Sequence, residues 1–171
     1  MDKDEILKVL NESLAMEEKG YKFYKEGADK IRNSLGKRML DRLAADELIH
    51  IKRIKEIYNH LMNETTDEIE LPVDSLEHFD EIFNRMHQHI REAVDDLTEV
   101  GVDDEEIINI ALELESHAKF YYQDAASKTT DPKIKEFYQR LATEETNHYE
   151  LLRKTNSYLE NPALFFGMGY H

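Results

Sequence analysis

Leu43-Ala44-Ala45-Asp46-Glu47-Leu48-Ile49-His50 returns 98 residues later as Leu141-Ala142-Thr143-Glu144-Glu145-Thr146-Asn147-His148. In each copy a Glu and a His stand three residues apart, which puts both on one face of a helix at 3.6 residues per turn. That face is expected to be the buried one. One stripe runs Leu40, Leu43, Glu47, His50, Ile54, Ile57, Leu61, and the other runs Tyr138, Leu141, Glu145, His148, Leu152, Thr155, Leu159. Each Glu and His therefore interrupts an apolar seam that faces other helices. A single Glu-x-x-His pair arises about once by chance in such a chain. Two copies, each with a further Glu at the same distance upstream (Glu17 and Glu115), carry more weight.

Working outward, residues from about 3 to 32 read as one long helix, with Ile6, Leu10, Ser13, Glu17, Gly20, Tyr24 and Ile31 on one stripe. Asn33 offers an N-cap for a second helix, about 34 to 62. Glu17 lies sixteen residues before Asn33 and Glu47 fourteen after it, so both sit roughly 21 to 24 Å from the turn at 1.5 Å per residue. The stretch from Asn63 to Ser75, with Thr65, Thr66, Asp67, Pro72 and Asp74, reads as a loop. Leu76, Phe79, Phe83, Met86, Ile90, Ala93 and Leu97 then predict a crossover helix over about 75 to 98, ended by Gly101, with Asp103 or Asp104 available to cap the next helix.

A third bundle helix, about 104 to 129, carries Ile108, Ala111, Glu115, Ala118, Tyr122 and Ala125 on its stripe, and Asp131-Pro132 signals the start of a fourth, about 132 to 159. A shift of 98 residues lays Glu17 on Glu115, Tyr24 on Tyr122, Asn33 on Asp131, Glu47 on Glu145 and His50 on His148. The expected fold is all-α: an antiparallel four-helix bundle of two repeated hairpins, residues 1–160, joined by a long crossover that contains an additional helix. The repeat is too long for a solenoid unit. The tail, residues 161–171, contains Leu164, Phe165, Phe166 and Tyr170 and is left to dock on the bundle or on a second subunit.

Composition narrows the chemistry. The chain has 171 residues, 40% of them hydrophobic, which suits one domain with one core. It has no apolar run long enough for a membrane span, and its first residues, Met1 to Glu5, are charged, so neither a span nor a secretory signal is expected and a cytoplasmic location is the default. With no cysteine there are no disulfides, Cys-ligated zinc or iron–sulfur clusters, and any metal must rest on oxygen and nitrogen ligands. A formal charge of −15 argues against nucleic acid or an anionic membrane as partner.

With the stripes turned inward, four carboxylates and two imidazoles converge near mid-bundle. Ionised carboxylates in a dry core each cost several kcal/mol unless they are paired or protonated. Two divalent cations carry the charge that offsets Glu17, Glu47, Glu115 and Glu145, while His50 and His148 each add a neutral nitrogen. A bundle with a buried polar layer and no metal is the bland alternative, tested by metal analysis.

The chain resembles the rubrerythrin-related branch of the ferritin-like di-iron carboxylate proteins over nearly its whole length apart from the tail. The residues that carry the resemblance are Glu17-x-x-Gly20-x-x-Phe23-Tyr24, Leu43-Ala44-x-x-Glu47-x-x-His50, Glu115-x-x-Ala118-x-x-Tyr121-Tyr122 and Leu141-Ala142-x-x-Glu145-x-x-His148. It implies two iron ions, with manganese or zinc also suited to such ligands. Glu17 and Glu115 are then terminal ligands, Glu47 and Glu145 bridge, and His50 and His148 bind one metal each. By the same resemblance Tyr24 and Tyr122 hydrogen-bond the ligand carboxylates; a core tyrosine with a satisfied hydroxyl is the alternative. Two departures stand out. Rubrerythrin's extra ligand Glu is replaced by Ala118, so the family's iron movement is not carried over and the site reads as more symmetric. The rubredoxin-like iron centre is missing with the cysteines, so electrons are expected from a separate rubredoxin-like protein. His117 lies off the stripe, and His60, His78, His87, His89 and His171 have no partners at ligand spacing.

The function implied is a peroxidase of oxidative-stress defence, a di-iron oxidoreductase that reduces hydrogen peroxide or dioxygen, as a homo-oligomer of two or more chains. The alternative is a ferroxidase or iron-binding protein for storage or sequestration, which a large cage-like assembly would favour.

Overall fold

The computed structural model describes residues 1–63 and 102–161, and in them the chain forms helices and no strand. The helices are α1 (Lys3–Lys30), α2 (Ser34–Asn63), α3 (Val102–Lys128) and α4 (Pro132–Glu160). The expected crossover helix over residues 75–98 and the tail beyond residue 161 lie outside the described residues. No helix among the described residues is long and apolar enough to cross a membrane.

Local chemistry sets the helix starts. Asp2 and Glu5 form a reciprocal capping box at α1, each side chain accepting from the other's backbone N–H. Asn33 caps α2, its Oδ1 accepting from the N–H groups of Leu35 (3.0 Å) and Gly36 (3.1 Å). Asp131 does the same for α4 through Lys133 and Ile134, with Pro132 in the first helical position, where its missing N–H costs nothing.

The expectation that Asp103 or Asp104 caps the third bundle helix does not hold for Asp104. The helix starts ahead of it, at Val102. The Asp104 carboxylate is fully buried and accepts from the backbone N–H groups of Arg32 and Asn33, both at 3.0 Å. Those donors belong to the turn between α1 and α2, where no helical carbonyl reaches them, so a buried carboxylate that pairs both outweighs a local cap. Asp104→Ala leaves two backbone donors buried and unpaired and should destabilise the fold by about 3 kcal/mol. A fall in urea midpoint at unchanged slope is the expected reading.

The same bond sets direction. The end of α1 meets the start of α3, while Tyr121, near the end of α3, donates to Val9 and Glu12 near the start of α1. α1 and α3 are thus antiparallel. α1 packs along α2 and α3 along α4, and the two hairpins meet through α1 against α3 and α2 against α4. Asn63 and Val102 consequently stand at opposite ends of the bundle.

Among the described residues the core is divided in two. One apolar cluster, with Ile31, Leu35, Met39, Leu40, Ile108 and Leu159, fills the end at the α1–α2 turn. Here Gly27 lets α1, α2 and α3 close up, since a Cβ there would stand 3.1 Å from Leu40 and 3.2 Å from Ile107. A second cluster, with Ile6, Leu10, Ile54, Ile57, Ile134 and Phe137, fills the other end. A fully buried Leu or Ile contributes about 1.5–3 kcal/mol, so both ends hold the bundle shut around whatever lies between.

Candidate metal centre

Between the two apolar clusters lies a layer of six ionisable side chains: Glu17 from α1, Glu47 and His50 from α2, Glu115 from α3, Glu145 and His148 from α4. All six are buried. They fall into two overlapping groups, Glu17, Glu47, His50, Glu145 and Glu47, Glu115, Glu145, His148, and in each group one donor atom per residue lies within 4.8 Å of every other. Glu47 and Glu145 belong to both groups; each remaining residue belongs to one.

The two imidazole rings stack, with centroids 5.7 Å apart and planes 24° from parallel. The Nδ1 atom of His50 faces Glu17 (3.2 Å), Glu145 (3.1 Å) and Glu47 (3.6 Å), and Nδ1 of His148 faces Glu145 (3.1 Å) and Glu115 (3.4 Å). Both Nε2 atoms point the other way, to a carboxylate on the opposite hairpin. Glu144 takes His50 at 2.6 Å and Asp46 takes His148 at 3.4 Å. Each of those acids has its own arginine. Nη1 of Arg53 lies 3.0 Å from both oxygens of Glu144, and Nε of Arg42 donates to Asp46 at 2.9 Å. Once Nε2 carries the proton given to Glu144 or Asp46, Nδ1 presents a lone pair to the centre of the layer.

Lone pairs therefore face lone pairs. Glu47 Oε2, Glu115 Oε2 and Glu145 Oε1 are buried and make no hydrogen bond, although Glu145 Oε1 is only 3.1 Å from His50 Nδ1. Protons are one remedy. Burial, then the charges of Glu17 and Glu145, push Glu47 well above the usual carboxylate range. Burial and Glu145 raise Glu115 to about 8. Burial opposes charge on His50 and His148, yet the surrounding carboxylates outweigh it and hold both well above the ordinary imidazole value. Burial also opposes charge on Glu145, but His50 and its hydrogen-bonding neighbours keep it well below the usual value. Divalent cations are the other remedy, and the oxygen and nitrogen donors present are those that hard and borderline cations take. The residues fit such ions: two clusters with two shared carboxylates, and orphaned oxygens aimed between them.

The tyrosines cross between hairpins. Tyr24 of α1 donates to Oε1 of Glu115 on α3 at 2.5 Å, and Tyr122 of α3 donates to Oε1 of Glu17 on α1. Burial, and then the neighbouring glutamates, raise both phenols well above their ordinary value, so each hydroxyl stays a donor. The structure thus places Tyr24 and Tyr122 on the two carboxylates that belong to one group each.

His117 is exposed and lines a cleft between α1 and α3. His60 lies in the last turn of α2, while His78, His87, His89 and His171 lie outside the described residues. Sequence reasoning missed Asp46, Glu144, Arg42 and Arg53. A signal for the two acids was present: each immediately precedes the Glu of a Glu-x-x-His pair. One residue back is about 100° around the helix, which turns the side chain from the bundle axis toward the neighbouring helix.

A family model described as Rubrerythrin matches residues 8–156. No curated protein and no solved structure matches the chain.

Proposed function

The chain belongs to the rubrerythrin family, a family of di-iron proteins, and on that premise we propose that it is an oxidoreductase that reduces hydrogen peroxide or dioxygen at a pair of iron ions. The observation that carries the proposal is the sharing of Glu47 and Glu145 between two four-residue groups. Two ions held side by side need bridging carboxylates, and Glu47 and Glu145 would supply them. Glu17 and His50 would complete one ion's set, and Glu115 and His148 the other's. When bound in the ferrous state, the pair supplies two electrons and the Lewis acidity that eases cleavage of an O–O bond.

The protein's own part is orientation and charge. Tyr24 and Tyr122 hold one oxygen of Glu115 and Glu17, leaving the other oxygen of each for the metal. Glu144 and Asp46 would hold the Nε2 protons and so fix Nδ1 as the binding atom of each imidazole. Packing above and below keeps the six donors in place, because both apolar clusters would have to loosen before the layer could spread. The returning electrons would come from a rubredoxin-like redox centre outside these 171 residues, which contain no cysteine.

Anaerobic loading with ferrous iron, followed by stopped-flow mixing with hydrogen peroxide, tests the proposal. The expected result is two irons bound per chain and oxidation of both by one peroxide. Iron that binds yet resists oxidation by peroxide and by dioxygen would overturn it.

A further inference from the structure

Among the described residues the polar layer is closed on one side and open on the other. Between α2 and α4 the stacked imidazoles, Glu144, Arg53 and Asp46 fill the space. Between α1 and α3 a cleft of about 380 Å³ runs in from the surface and reaches Glu17, Glu47 and Glu115. Its floor therefore includes Glu47 and Glu115, whose Oε2 atoms are buried and make no hydrogen bond. Ala15 and Met16 from α1 and Leu114 and Ala118 from α3 give its walls a largely apolar surface, and Glu12, Lys19, His117 and Tyr121 line it as well.

Two small residues keep it open. Gly20 and Ala118 are equivalent under the shift of 98 residues and stand one turn beyond Glu17 and Glu115. A Cβ at Gly20 would lie 3.6 Å from Glu47 Cδ and 3.7 Å from its Oε1, which is ordinary contact. Any longer side chain there would lie on the carboxylate itself. Hydrogen peroxide is scarcely larger than water, whose share of liquid volume is about 30 Å³, so the cleft has roughly tenfold more room than that substrate needs. A polar floor under largely apolar walls suits a molecule with a polar head and an apolar body.

We propose that this cleft admits small organic hydroperoxides, with the hydroperoxide group over Glu47 and Glu115 and the alkyl group against Met16, Leu114 and Ala118. The inference rests on the oxidoreductase reading above. The reaction balances as ROOH + 2 e⁻ + 2 H⁺ → ROH + H₂O. The O–O bond breaks, the two electrons come from two ferrous ions that each become ferric, and the protons come from solvent at the open mouth.

The test has two arms. In the first, reduced, iron-loaded protein is mixed with hydrogen peroxide or tert-butyl hydroperoxide. In the second, zinc-loaded protein with ¹³C-labelled methionine methyls is titrated with tert-butanol and followed by NMR. Tert-butyl hydroperoxide should oxidise the iron, and tert-butanol should shift the Met16 methyl saturably while leaving the core methyl of Met39 unmoved. Ala118→Leu should abolish that shift and slow the bulky peroxide about tenfold more than hydrogen peroxide. Gly20→Ala, which meets only ordinary contacts, should change the ratio in the same direction in a protein that melts no lower than the parent. Consumption of hydrogen peroxide alone, with no Met16 shift, would overturn the inference and leave the oxidoreductase reading standing. Equal slowing of both peroxides by Ala118→Leu would overturn it too. Oxidation by neither peroxide would overturn this inference, and resistance to dioxygen as well would overturn the oxidoreductase reading with it.

Discussion

Metal-free protein should lose thermal stability as pH rises from about 5 to about 8.5, and protein loaded with two equivalents of zinc should not. The sign follows from the direction of each shift. Glu115 titrates at about 8 in the fold, raised by burial first and then by Glu145, against about 4.3 in an unfolded chain. A group whose folded value is raised contributes stability that is complete below its unfolded value and is lost as pH climbs through its folded one. Glu47, His50 and His148 are raised as well, so their contributions run the same way. Glu145, Glu144 and Asp46 are lowered, and what they contribute is already complete at about pH 5. Across this window every change therefore runs downward. The loss should be on the order of a few kcal/mol, or roughly 5–15 °C in a chain of this size.

Zinc reverses the slope because it takes the place of the protons. Binding requires Glu47 and Glu115 ionised and both imidazoles neutral, so affinity rises with pH. An ion present at a hundred times its dissociation constant adds about 2.7 kcal/mol per site. Melting curves with chelator and with zinc, taken at half-unit pH steps, check this directly. Parallel curves would mean that the six side chains do not hold the ion.

The repeat itself was legible because each helix writes its inward face as a stripe of period 3.6. Ile6, Leu10, Glu17 and Tyr24 on α1, and Ile108, Glu115 and Tyr122 on α3, are all buried. The caps at Asn33 and Asp131 were equally plain, since a side-chain acceptor before a helix acts on residues two and three further on. What escaped were contacts between elements distant in sequence. Asp104 looked like a local cap and instead holds a turn 71 residues away. The exchange of Tyr24 and Tyr122 between hairpins depends on how closely α1 and α3 approach, which no periodicity records. Arg53 had no repeat signal at all, since the shift of 98 residues lays it on Leu151.

That asymmetry leads to the other large effect: Arg53→Met should weaken one metal position and spare the other. The Arg53–Glu144 pair is nearly buried, its side chains 9% and 14% exposed, and it backs His50. The Arg42–Asp46 pair that backs His148 is 41% and 19% exposed, and Asp46 lies farther from its imidazole. Removing Arg53 leaves a largely buried carboxylate with His50 as its main counter-charge. Breaking a buried pair costs about 3–5 kcal/mol, and the water that can still reach Glu144 should bring that toward the lower end. The freed charge also draws the His50 proton more strongly, so the ring settles less readily as a neutral donor. Loss of such an outer contact typically lowers metal affinity about 10–100-fold. A zinc titration by calorimetry should therefore separate into one tight and one weakened site. Arg53→Lys should recover part of the loss, because a single nitrogen, Nη1, makes both bonds to Glu144. In the double variant Arg53→Met, Glu144→Gln the stability should return while the weakened site remains, since the charge is gone but the imidazole has lost its anionic anchor. Equal weakening of both sites would instead place Arg53 in the general stability of the bundle.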